Sequence, residues 1–409
     1  MDPTPDQGTQ ARRPPDSTST GRSADTPGVI RTNPDRRFCD HAAGSPLRPE
    51  AAEAMAVLGW LANPSATHTS GRRARAALED ARERLAACVG SRPDEVVWTS
   101  CATESNNLAI TGSVRARARE GRDGVVVTAL DHAASLRPAA ASAAEPRVVP
   151  ARPDGLVDTR AWAAAQGDGT ALASLCWVNN VTGAVQPVAE LAGIAAERGA
   201  WVHTDAAQAL GRVAVDVAAS GVDLLTLSSH KVGGPAGIAA LVVRRSAEVV
   251  PLLRGGGQEG GVRSGTPAVA LAVGFAVAAE AAVAQREAEE TRQWVLRRRL
   301  VDGVSGLGGV RVISPAEVVP GIVCLTVEGC RGDDLTMLLD AAGIDCSAGA
   351  ACSAGVHRPS EALLAMGLDA VDAAGALRFS FGWSSTVADV DEVVAALPAA
   401  IERARLAFA

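Results

Sequence analysis

The sequence predicts an α/β protein with a large, mostly parallel sheet and a smaller α+β domain, and three observations carry that reading. From residue 95 onward, short apolar β-branched runs alternate with stretches at helical spacing, the pattern of a parallel sheet covered on both faces. Those runs stop at small and polar residues, as strands do where an α/β enzyme keeps its site. A glycine-rich interruption over 255–266 (GGGQEGGVRSGT) then separates this series from a differently patterned second half.

In chain order, residues 1–37 are rich in Pro, Asp, Ser, Thr, Gly and Arg, with almost no large apolar groups to offset the entropy of ordering; a disordered tail is expected. A short arm (FCDHAAGSP) begins at Phe38, and apolar residues at helical spacing predict helices over 50–61 and 71–87. Strands are predicted over 95–99, 124–130, 171–178, 201–204, 223–228 and 238–243, with helices over 105–119 and 188–198. The boundary near Thr266 makes 51–266 the large domain. Residues 38–50 and 267–409 form the small one, with a single long helix-like stretch over 267–300. Its remaining elements are strands near 310–313 and 322–327, a helix over 333–342, a loop of small residues over 347–355, a strand over 377–381 and a last helix over 387–405.

Composition narrows the function classes. With 47% hydrophobic and 21% charged residues and a formal net charge of −7, the chain makes no electrostatic case for nucleic acid or an anionic membrane. No apolar run is long enough to span a bilayer, and the N-terminus lacks the apolar core of a signal peptide, so a cytoplasmic location is expected. The eight cysteines are scattered without a C-x-x-C pair, which suits a reducing compartment and argues against a zinc site; no metal is expected.

The polar strand ends are where chemistry gathers. Lys231 follows the apolar run 224–227 and two serines, at the end of a strand where burial would make its amine a nucleophile, or where it would merely begin a surface loop. Residues 99–107 (TSCATESNN) join a strand to a helix, so the free N–H groups of the helix start, with the Thr103 hydroxyl, could hold a phosphate or form an ordinary cap. Ser228, Ser229 and His230 could add donors. Asp205 ends another strand, with Gln208 one turn on; it could keep a ring nitrogen protonated or cap a helix. Residues 178–183 end a third strand, where the amides of Asn179 and Asn180 could address a ring oxygen or build a turn, and His132 ends a fourth, where an imidazole could stack on a flat ring, move protons or be structural. Together these parts describe a site for pyridoxal phosphate.

The stretches 99–107, 178–183 (VNNVTG), 203–208 (HTDAAQ), 228–235 (SSHKVGGP), 255–266 and 347–355 (SAGAACSAG) resemble those of the cysteine desulfurases, fold type I enzymes of the class V aminotransferase group, in the same order. The resemblance runs from about Phe38 to Leu406. It implies that Lys231 carries pyridoxal phosphate, that Ala102, Thr103, Ser228 and His230 hold its phosphate, and that Thr266 reaches the phosphate of a partner subunit in a homodimer. It further implies Asp205 at the ring nitrogen, Gln208 and Asn180 at the ring oxygen, and His132 stacking and handling protons. Arg378, assisted by Asn63, would bind the carboxylate of L-cysteine. Cys352, in a loop of small residues, would take the sulfur as a persulfide, leave L-alanine and pass the sulfur to an acceptor protein. The same resemblance leaves open a C–S lyase or selenocysteine lyase of this fold, or a sulfur-transfer scaffold with weak turnover of its own; the thiol at Cys352 argues against a simple lyase. Departures from the family pattern are Cys101 in place of a glycine, small residues after His132, Gly44 and Ser45 in place of threonines, and Trp383. They suggest a specialised pathway.

Overall fold

A computed structural model of the chain describes residues 36–59, 61–142, 146–313, 315, 317–349 and 359–406. Thirteen strands occur among the described residues: β1 (Arg37–Phe38), β2 (Val96–Thr99), β3 (Gly124–Thr128), β4 (Arg147–Val149), β5 (Thr170–Cys176), β6 (Trp201–Asp205), β7 (Leu224–Ser228), β8 (Ala239–Val243), β9 (Val310–Ile313), β10 (Ile322–Val327), β11 (Ile344–Asp345), β12 (Ser347–Ala348) and β13 (Ala376–Ser380).

Seven of them build one sheet in the order β2-β8-β7-β6-β5-β3-β4. Strands β7, β6, β5, β3 and β4 run parallel, and β8 is antiparallel to both of its neighbours. Ala239 of β8 faces Ser228 on one side and Thr99 on the other. The reversed strand thereby brings the ends of β2 and β7 to the same edge as those of β3, β5 and β6. That edge is the crevice in which an open α/β sheet binds its ligand. Strand β5 is buried along its whole length, as a strand covered on both faces must be.

The second sheet is antiparallel, in the order β12-β13-β10-β9, and β1 pairs in parallel with β11 beside it. Its own core joins Leu296, Leu300, Val323, Leu325, Phe379, Phe381, Val393 and Leu397. The helix Val387–Leu406 supplies one side of it.

Two expectations change. The stretch 267–300 is two helices, Val269–Ala284 and Arg286–Val304, bent by 69°. The first is an Ala/Val helix buried in the core of the large sheet, whereas the second turns Leu296, Leu300 and Val304 into the small core, so each half follows a different layer. Arg36 and Arg37, expected in the tail, belong to the fold: Arg37 sits in β1, and Arg36 pairs with Asp345 at 2.6 Å. Helix Ala133–Ser142, not assigned from sequence, runs through Pro138 and begins directly after His132.

The arm after β1 is fixed by the small domain. Ala42 N donates to Ser380 Oγ at 2.8 Å, and His41, fully buried, lies between Ser45 and Ser384. A Cβ at Gly382 would lie 2.1 Å from His41 Nδ1. Gly382→Ala is therefore expected to lower stability by about 1–3 kcal/mol through displacement of the arm, read as a lower thermal midpoint.

Candidate active site at the strand ends

A cavity of about 220 Å³ opens at the shared edge, and Ala102, Thr103, His132, Asn180, Asp205, Gln208, Ser228, His230 and Lys231 all line it. A second cavity, of about 270 Å³, shares Lys231, His132 and Asn180 with the first and adds Arg378 and the segment Ser347, Ala348 and Gly349. Thr266 and Asn63 are not part of either. They lie together on a separate surface cavity, and Asn63 Oδ1 accepts from Ser65 N at 2.9 Å. The expectation that Asn63 assists Arg378 is not met within this chain, because the loop that carries it packs against 266–271 instead. Cys352 lies outside the described residues.

Lys231 Nζ donates to Ala42 O at 2.7 Å and Ala43 O at 2.8 Å. Burial, with Arg378 and Arg212 nearby, lowers its pKa from 10.5 to about 8, so an appreciable share of the amine is neutral near physiological pH. His230, whose Nδ1 is 3.3 Å from Ser228 Oγ, is held down to about 4 by burial and by Lys231, so it presents a neutral ring.

Asp205 closes the other side. Its Oδ2 accepts from Asn106 Nδ2 at 2.7 Å and its Oδ1 from Ala207 N at 2.9 Å. Behind it, His203 bonds Ser174 Oγ at 2.8 Å and Thr226 Oγ1 at 3.0 Å, and burial keeps it neutral by lowering its pKa to about 4. Asp131 accepts from Thr128 N at 2.9 Å and Cys176 N at 2.5 Å, yet burial still pushes its pKa up to about 7. His132 Nδ1 accepts from Ala134 N at 3.1 Å, which caps the following helix and leaves the proton on Nε2.

Helix Ala102–Arg117 begins after Cys101, whose φ of −164° and ψ of 162° are extended backbone that any residue adopts. A thiol in place of glycine therefore adds no strain, and it lines the cavity wall. The helix's first N–H groups have no intrahelical acceptor and carry the positive end of its dipole.

The lining fits pyridoxal phosphate. Asn106 Oδ1 and Gln208 Oε1 are buried polar atoms without a partner among the described residues, beside a nucleophilic lysine and a helix start suited to an anion. Asn106, one turn after Thr103, was not singled out from sequence as a site residue; its place within 99–107 was the available signal. The arm carbonyls at Ala42 and Ala43 carried no sequence signal at all.

The family model described as aminotransferase class-V matches residues 37–393. Over 382 residues, 90% of this chain and 97% of the relative, the sequence is 44% identical to an IscS-like cysteine desulfurase of Mycobacterium tuberculosis. It is 35% identical to a human cysteine desulfurase, over 91% of this chain and 83% of that protein. A solved NifS-like protein superposes with a TM-score of 0.84 at 30% identity, covering 90% of this chain and 100% of the other. DndA from Streptomyces lividans superposes with a TM-score of 0.71 at 34% identity, covering 83% and 97%. Fold and cavity define a pyridoxal-phosphate-dependent enzyme of fold type I. The chain belongs to the class-V aminotransferase family and, within it, to the cysteine desulfurases.

Proposed function

We propose that the protein converts L-cysteine to L-alanine and takes the sulfur onto Cys352 as a persulfide for delivery to an acceptor protein. The observation that carries this reading is the junction of the two cavities at Lys231, His132 and Asn180: one is lined for pyridoxal phosphate, and the other runs past Arg378 to the segment that leads into residue 352. When bound, pyridoxal phosphate supplies an electron sink for charge at the substrate's Cα. In this reading Ala102, Thr103, Ser228 and His230 hold its phosphate, Asp205 with Asn106 faces its ring nitrogen, and Gln208 and Asn180 address its ring oxygen. Lys231 is the amine that engages its aldehyde. Arg378 anchors the substrate carboxylate, and His132, held at Nδ1, offers its ring face for stacking and its Nε2 for proton movement. The Cys352 thiolate attacks the substrate sulfur; an S–S bond forms as the Cβ–S bond breaks, and protonation on carbon completes the alanine.

A homodimer belongs to the same proposal. Thr266 is exposed and lies apart from its own chain's Lys231, which suits a residue that serves a partner's phosphate. A cytoplasmic location is supported by seven free cysteines among the described residues.

The test is alanine and sulfide release from L-cysteine with a thiol reductant present. Cys352→Ser is expected to lose roughly a hundred-fold or more of the parent rate with its bound cofactor intact. Sulfide release by Cys352→Ser at the parent rate would refute the persulfide step.

A further inference from the structure

Three of the five N–H donors of the Arg378 guanidinium, including both on Nη2, are engaged before any substrate arrives. Nη1 donates to Asn180 O at 2.9 Å, while Nη2 donates to Asp40 Oδ1 at 2.7 Å and to Ser347 Oγ at 2.9 Å. Only Nε, buried as well, has no acceptor among the described residues. A carboxylate bound edge-on to a guanidinium needs two parallel donors. The edges of Arg378 that include Nη2 are already occupied.

Asp40 is held there by its backbone. It bridges to Ser380, and His41 N donates to Ser380 O at 3.2 Å. Two residues further on, Ala42 O and Ala43 O take the hydrogens of Lys231 Nζ. Four consecutive residues of the arm thus offer a carboxylate to Arg378 and carbonyl oxygens to Lys231, the two groups that an α-amino acid must engage at its carboxylate and its amine.

We propose that Asp40 sets the selectivity of the substrate site: it occupies the Arg378 edge that the substrate carboxylate takes, so substrate binds by displacing the Asp40 side chain from Nη2. The proposal rests on Arg378 as the carboxylate anchor. A tethered carboxylate competes at high effective concentration, so a ligand that offers a carboxylate alone is held off. A ligand that also gains a bond at the Lys231 end overcomes the competitor. Asp40 acts through Arg378, as a positioning residue for substrate choice.

The test uses the holoenzyme and propanoate, which has the carboxylate but neither amine nor thiol. Propanoate binding is followed as inhibition of L-cysteine turnover and, independently, as a change in the visible absorbance of the bound cofactor. Two charge-free variants, Asp40→Asn and Asp40→Ser, are expected to bind propanoate roughly tenfold more tightly, with a smaller fall in KM for L-cysteine and no rise in kcat. Asp40→Glu, which keeps the charge, is expected to leave propanoate as weak as in the parent. Unchanged or weaker propanoate binding by a charge-free variant that melts like the parent would overturn the proposal. So would equal tightening in Asp40→Glu. If the parent releases no alanine from L-cysteine, the proposed function fails, while the absorbance titration still decides the role of Asp40.

Discussion

Lys231→Ala is expected to lower turnover of L-cysteine by roughly four orders of magnitude or more, because it removes the one amine at the junction of both cavities. The loss should come without collapse of the fold. Ala42 O keeps the hydrogen bond from Gln208 Nε2 at 2.7 Å, and Ala43, the other acceptor of Nζ among the described residues, is exposed, so its carbonyl passes to water at a cost below about 1 kcal/mol. Absorbance of the purified variant should lack the visible band of lysine-bound cofactor, and a variant that retains both the band and the turnover would refute the assignment of Lys231. The same amine predicts a pH dependence. Its pKa in the fold is about 8 against 10.5 for the free side chain, so uptake of pyridoxal phosphate by cofactor-free protein should quicken as pH rises through about 8. The sign for stability follows from proton binding: between about 8 and 10.5 the unfolded chain holds a proton that the folded chain has released. This group therefore makes the cofactor-free fold more stable as pH rises through that window, and its destabilising effect is complete below it. Cofactor uptake that rises only near 10.5 would contradict the buried position of Lys231.

Asp205→Asn is the second large effect. Both carboxylate oxygens are acceptors, from Asn106 Nδ2 and from Ala207 N. The new amide can still be accommodated, because Asn106 carries an unpartnered Oδ1 that a side-chain flip would turn toward the new amide. Stability is therefore expected to change by less than about 1 kcal/mol, whereas the carboxylate that the proposed function sets against the cofactor's ring nitrogen is lost. Turnover should fall roughly a hundred- to a thousand-fold, with a thermal midpoint near the parent's. Turnover within a few-fold of the parent would remove Asp205 from the reaction.

Much of the site was legible because a parallel sheet gathers its strand ends on one edge. Thr103, His132, Asn180, Asp205 and Lys231 each follow an apolar run, and the alternation of runs and helices already implied that the ends converge. Where Asn63 lies was not legible, because its motif fixes a turn while the face on which that turn packs depends on the loop at 266–271. The break at Gln285 was hidden for a similar reason: the residues on either side of it are good helix formers, and only the two separate cores require a change of direction.

By itself, then, the sequence determined the alternating α/β plan, the polar stations at the strand ends, the cofactor they suit and the family, because period and local spacing act over a few residues at a time. Tertiary structure alone decided which carbonyls hold the amine of Lys231, how far burial lowers its pKa, and that Asp40 lies against Arg378, 338 positions away. Contacts of that kind depend on how two layers pack and how much water they exclude, which no local pattern encodes.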